Sequence, residues 1–116
     1  MPCASPRLSL PKSLPSHPVS DEPLFLVAVI RPDMAQADVV AERLRSMRDA
    51  TRAEPGNEFM ELVVGDEDPT VWFMLEKFES RAAWDLHMTL PHVVEGNAFL
   101  ADKLREPTEL RLRRPV

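Results

Sequence analysis

The stretch EFMELVVGDEDPTVWFMLEKF, residues 58–78, decides the fold. Glu58–Val64 and Val71–Phe78 are short runs rich in β-branched and aromatic residues. Between them Gly65, Asp66, Glu67, Asp68 and Pro69 concentrate the residue types that turns require, so the runs are expected to pair as an antiparallel hairpin. A strand with one wet face alternates apolar and polar positions, yet here both parities are apolar. Val71, Phe73 and Leu75 occupy one parity, and Trp72, Met74 and Phe78 the other. Both faces of this sheet therefore need cover.

Working outward, Leu24–Ile30 (LFLVAVI) reads as a further strand, also apolar on both parities, and Arg31-Pro32-Asp33 ends it. Asp33 can cap a helix predicted over Ala35–Arg52, in which Val40, Leu44, Met47 and Thr51 recur every three or four residues while Glu42, Arg45, Ser46 and Asp49 lie on other faces. Glu54-Pro55-Gly56 stops it. After the hairpin, Ser80 suits the N-cap of a helix running to Met88, and Pro91 suits the first position of a second helical piece reaching about Leu104. Leu110 and Leu112 alternate with Glu109, Arg111 and Arg113 as a half-buried last strand. The order βαββα(α)β predicts an α+β, ferredoxin-like fold, an antiparallel sheet with its helices on one face. No helices remain for the other face, so a second copy packing sheet against sheet is expected, giving a homodimer.

The 116 residues make one domain, residues 24–116, behind a tail, residues 1–23. The tail holds half of the 12 prolines, interleaved with serines, and cannot bury enough surface to offset the entropy of ordering. Its prolines also interrupt every candidate for a secretory signal. The longest apolar run, Leu24–Ile30, is far below the ~20 residues that cross a bilayer, so no membrane association is expected. Net charge is −5, and the basic residues near the C-terminus, Lys103, Arg105, Arg111, Arg113 and Arg114, are interleaved with Asp102, Glu106 and Glu109. That is a solvated face rather than a phosphate-tracking surface, and no nucleic-acid partner is expected. Cys3 is the single cysteine, which forbids an intrachain disulfide and fits a reducing cytoplasm. His87 and His92 straddle Pro91, which breaks the helix face that two metal ligands would share, so no metal site is expected. There is no GxGxxG, no P-loop, and with three glycines no glycine-rich phosphate cradle.

The stretch TRAEPGNEFMELVVGDEDPTVWFMLEKFESRAAWDLHMTLPHV, residues 51–93, resembles the antibiotic biosynthesis monooxygenase family of dimeric α/β barrels. The similarity is carried by Glu54-Pro55-Gly56, the Asp68-Pro69 turn, and Glu76-x-x-Glu79-Ser80-x-x-Ala83 leading to His87 and Pro91-His92. It extends over nearly all of residues 24–113. The resemblance implies the dimeric form of the ferredoxin-like fold, which the two-faced strands suggest independently. It also implies chemistry within a varied family: quinol and polyketide monooxygenases without a cofactor, haem-degrading enzymes, and enzymes acting on autoinducers. The cofactor-free members resembled need an electron-rich phenol or quinol to lose a proton so that its anion can pass an electron to dioxygen. The protein supplies an apolar pocket, a base and hydrogen bonds. Two departures matter. Many quinol-type members carry a tyrosine where Met60 stands, and this chain has none. The positions that serve haem degradation fall near Val29, His87 and Asn97, a set that does not match those members.

His87, aligned with a histidine common in close relatives, is the expected base, against the alternative of a packing histidine. Glu76 shares the parity of Trp72, Met74 and Phe78, so its carboxyl meets an apolar layer and joins His87 as a catalytic candidate, against an ion pair at the dimer seam. His92 follows Pro91 at a helix start, where a surface role is commonest. Trp72, Met60, Met74, Trp84, Asn97 and Phe99 are the candidates for binding substrate, Asn97 by hydrogen bonding and the others as apolar wall, with plain core packing as the alternative. Two functions compete: a monooxygenase needing no cofactor and acting on a small aromatic substrate with dioxygen, or a non-catalytic dimeric binding or accessory protein. They differ in what surrounds His87. A cavity with polar company favours the enzyme; packing by Trp84, Met88 and Phe99 favours the binder.

Overall fold

A computed structural model describes residues 22–116. Most of the expected tail, including Cys3, lies outside the described residues. Four strands and three helices follow in the order β1 (Leu24–Ile30), α1 (Ala37–Arg52), β2 (Asn57–Val64), β3 (Trp72–Phe78), α2 (Arg81–His87), α3 (Pro91–Leu100) and β4 (Glu109–Arg113). The strands form one antiparallel sheet in the order β2-β3-β1-β4, as the ferredoxin-like reading requires. Among the described residues no helix is long and apolar enough to cross a membrane.

Local chemistry accounts for the ends. The Asp33 side chain accepts the Ala35 amide at 3.1 Å, but the chain first makes a 3-10 turn over Met34–Gln36, so α1 begins two residues later than the Ala35 of the sequence reading. The Ser80 hydroxyl accepts the Ala83 amide and opens α2, while Pro91 opens α3 behind an extended Leu90. The last helix stops at Leu100 and does not reach Leu104, because Leu104 bridges to Pro32 and the Lys103 carbonyl accepts the Asp33 amide. The chain is thus drawn into a strand-like crossing beside β1.

The register sorts the two faces. Leu26, Glu76 and Met60 form one cross-strand row, and Ala28, Met74 and Leu62 the next. These point toward the helices, where Ala28, Ile30, Val40, Leu44, Met60, Met74 and Leu100 make the main core and Leu24, Leu26 and Phe78 a second cluster. Phe78 has no exposed surface, and truncating it to alanine would cost about 3–5 kcal/mol. On the opposite face Phe25, Val27, Phe73 and Leu75 are only half-buried, and Phe59 and Val63 are exposed at 40% and 38%. The apolar second face read from the strands is therefore present and incompletely covered by this chain.

Candidate functional site

Between the helix-side face of the sheet and the helices lies a cavity of about 550 Å³, within the range of small-molecule sites. Leu26, Ala28, Ile30, Met60 and Met74 line it from the sheet, Leu44, Met47 and Thr51 from α1, and Val93, Asn97 and Leu100 from α3. Segment 104–108 lies along one side. The walls are mainly apolar, and Glu76, His87 and Asn97 interrupt them with polar groups.

Glu76 stands mid-strand on β3 and is 6% exposed. Among the described residues it has neither an ion-pair nor a hydrogen-bond partner within this chain, and it lines the cavity. Burial pushes its carboxyl from the ordinary 4.5 up to about 7, and the nearby charge of Glu54 adds to the rise. Below that pH Glu76 is a neutral acid able to donate a proton into the cavity.

His87 is the last residue of α2 and is 5% exposed. Its ring lies 4.9 Å from the Phe78 ring, tilted by 48°. Nδ1 sits 2.9 Å from Oε2 and 3.2 Å from Oε1 of Glu54. Nε2 of His92 approaches the same Oε2 at 2.7 Å. Each element contributes to this meeting. Glu54 follows α1 in a turn where its amide donates to the Thr51 carbonyl and its carbonyl accepts the Asn57 amide. Gly56 then passes so close to α2 that a Cβ there would lie 2.5 Å from the Ala83 Cβ. Pro91 separates the helix bearing His87 from the helix bearing His92, and the break sets the two rings 6.1 Å apart around one carboxylate.

That convergence corrects one step of the sequence reading. Pro91 does deny the histidines a common helix face, yet it does not keep them apart. Glu54, His87 and His92 present ligand-type atoms all within 4.8 Å of one another, and they are the described residues grouped closely enough to hold a cation. The 2.7 and 2.9 Å spacings are those of charge-assisted hydrogen bonds.

The other sequence candidates divide. Met60, Met74, Trp84 and Asn97 line the cavity. Trp72 and Phe99 do not; both pack on the rim of the main core. The Trp72 indole N–H donates to the Pro69 carbonyl, and the Phe99 ring is held between the Arg43 guanidinium at 4.0 Å and the Lys103 ammonium at 4.1 Å. Glu54 is not among the sequence candidates although its Glu-Pro-Gly context is visible, because a turn residue gives no periodicity from which to read its direction. Thr51, wholly buried, also lines the cavity and donates its hydroxyl to the Met47 carbonyl.

The fold recurs among solved structures. Protein Rv0793 from Mycobacterium tuberculosis is similar over 81% of this chain and 95% of its own, with 24% identity and a TM-score of 0.77. A conserved protein from Methanosarcina mazei Go1 matches with 21% identity over 83% of this chain and 95% of its own, TM-score 0.79. PA3566 from Pseudomonas aeruginosa matches with 22% identity over 86% and 99%, TM-score 0.75. No curated protein matches the chain. A profile described as antibiotic biosynthesis monooxygenase matches residues 23–98, which is most of the domain, and on that match the chain belongs to the antibiotic biosynthesis monooxygenase family.

Proposed function

We propose that the protein is a cofactor-independent monooxygenase acting on a small aromatic quinol or polyketide-type phenol, with His87 as the base and Glu76 as the acid. The observation that carries this reading is the surroundings of His87: the ring borders a cavity shared with Glu76 and Asn97, in a wall that also includes Trp84 and Met88, while Phe99 lies outside it. Family membership supports an oxygenase of this type.

Nδ1 of His87 faces Glu54, which leaves Nε2 as the ring nitrogen for the cavity. In a substrate whose ring bears a phenol and an activated CH₂, Nε2 takes the proton. The resulting anion passes one electron to dioxygen, and the radical pair closes a C–O bond to a peroxide. Glu76, neutral below about pH 7, protonates the leaving oxygen. Loss of water and of the second hydrogen of the CH₂ leaves C=O, so dioxygen takes four electrons and the carbon yields four. Apolar walls penalise an anion whose charge is spread over an aromatic ring less than one whose charge is concentrated on a single atom. Asn97, on α3, offers an amide to a ring oxygen. The half-buried outer residues Phe25, Val27, Phe73 and Leu75, with exposed Phe59 and Val63, support a homodimer built sheet to sheet.

The test is oxygen uptake by chelator-treated protein with reduced naphthoquinols and anthrones, beside His87→Ala and a protein-free blank. Uptake above the blank that falls in the variant is expected. None above the blank across the panel would favour the binding-protein alternative.

A further inference from the structure

The buried contact between Glu54 and the two histidines lies behind the cavity wall: His87 borders the cavity, while Glu54 and His92 do not. The Glu54 side chain is 11% exposed, that of His87 6% and that of His92 26%, so the three run from the cavity toward solvent. An ionised carboxylate only accepts hydrogen bonds, so a ring nitrogen that bonds to it carries a proton. With Nδ1 of His87 at 2.9 Å from Oε2 and 3.2 Å from Oε1, the proton of the neutral ring belongs on Nδ1 and the lone pair on Nε2. Unaided, a histidine samples both tautomers and rotates about its side-chain bonds. Here the Phe78 ring bounds one side of the imidazole and the carboxylate fixes one edge.

We propose that Glu54 is a positioning residue: its carboxylate locks His87 in the Nδ1–H tautomer with a bare Nε2 directed at the cavity, and His92, donating to the same oxygen, holds the carboxylate in place from the solvent side. This rests on the reading of His87 as the base. It adds two residues that never touch substrate but decide which ring nitrogen can work. Glu54 serves because the turn at Glu54-Pro55-Gly56 lies directly against α2, an approach that the missing Cβ of Gly56 permits. His92 serves because a carboxylate held by one partner alone can swing, whereas one bonded from two directions cannot.

The experiment reads the tautomer and the reaction separately. Chelator-treated full-length protein labelled with ¹⁵N-histidine is examined by long-range ¹H–¹⁵N correlation at a pH where the rings are neutral, with Glu54→Ala, Glu54→Gln and His92→Asn beside the wild type. The expected wild-type pattern for His87 is a protonated Nδ1 and a bare Nε2, lost in Glu54→Ala and partly lost in His92→Asn. In oxygen uptake, both Glu54 variants are expected to lower kcat at least ~10-fold with KM little changed, as when an orienting carboxylate is removed from a catalytic histidine. Formate is expected to restore part of the rate to Glu54→Ala, which a merely structural defect would not allow. A wild-type His87 protonated on Nε2 overturns the proposal without needing any variant. So does an unchanged tautomer in a folded Glu54→Ala protein, or one tightly retained metal ion per chain that shifts both histidines. The expected tautomer without oxygen uptake would uphold the positioning role and overturn the monooxygenase reading instead. Uptake that depends on His87 but ignores Glu54 would do the reverse.

Discussion

Replacing Glu76 by glutamine separates the cost of burying this carboxyl from its use. In the folded chain burial, reinforced by the charge of Glu54, raises the group from 4.5 to about 7. An unfolded chain would ionise it near its ordinary value. Folding therefore takes up a proton between those limits, and the contribution of Glu76 to stability is lost as pH rises from about 4.5 through about 7. At ~1.4 kcal/mol per pKa unit, the full penalty above pH 8 is about 3 kcal/mol. The glutamine side chain keeps the shape but cannot ionise. Urea unfolding of both proteins, at one fixed protein concentration, should give stabilities within about 1 kcal/mol of each other at pH 5. At pH 8.5 the Glu76→Gln protein should gain a further ~2–3 kcal/mol over the wild type, a midpoint separation of roughly 1–2 M. Any packing difference introduced by the amide acts at both pH values and cancels in the comparison. A difference between the two proteins that is the same at pH 5 and pH 8.5 would refute the reasoning, since it would mean that Glu76 titrates alike folded and unfolded.

Further outcomes follow from other parts of the molecule. Gly56→Ala places a methyl group 2.5 Å from the Ala83 Cβ and should destabilise the fold by about 1–3 kcal/mol, measured by thermal or urea unfolding; an unchanged stability would contradict the close approach. Gly96→Ala meets first the Met47 side chain, which can change rotamer as the Ala83 Cβ cannot, and should cost less than Gly56→Ala in the same measurement. Phe73→Asp, on the half-covered outer face, should convert a dimer into a monomer or an unfolded chain in sedimentation velocity, and a stable wild-type monomer would remove the dimer altogether. His87→Ala should lower the rate of oxygen uptake by about 10²–10⁴-fold, the usual worth of a positioned base, while leaving the fold detectable by circular dichroism.

The strands are legible in the sequence because their signal is local. LFLVAVI and WFMLEKF are too short and too rich in β-branched and aromatic residues for helices, and their double-sided apolarity by itself implies a second face in need of cover. Asp33, Ser80 and Pro91 mark helix starts through side-chain chemistry that operates within a few residues. The end of α3 falls four residues short of the Leu104 that the local pattern suggests, because a long-range bridge, Leu104 to Pro32, overrides that pattern. The site shows the same division. His87, Glu76, Met60, Met74, Trp84 and Asn97 sit on regular elements whose periodicity points them inward. Trp72 shares the parity of Met74 and Glu76 but stands at the first position of β3, short of the cavity, and Phe99 lies on a different face of α3 from Val93, Asn97 and Leu100; carbonyl or cationic partners occupy them instead. Glu54 and His92 lie in a turn and at a helix start, where direction depends on how the neighbouring element docks, and no pattern in the sequence encodes that.

The central claim, that this cavity transfers one oxygen atom to an aromatic substrate without a cofactor, is tested most directly with ¹⁸O₂. Metal-free protein is incubated with an anthrone or naphthoquinol that supports oxygen uptake, and the product and the released water are analysed by mass spectrometry. The expected result is one ¹⁸O atom in the product and one in water, at a rate that depends on His87. Product formed without ¹⁸O, or label incorporated equally by the His87→Ala protein and by the protein-free blank, would contradict it.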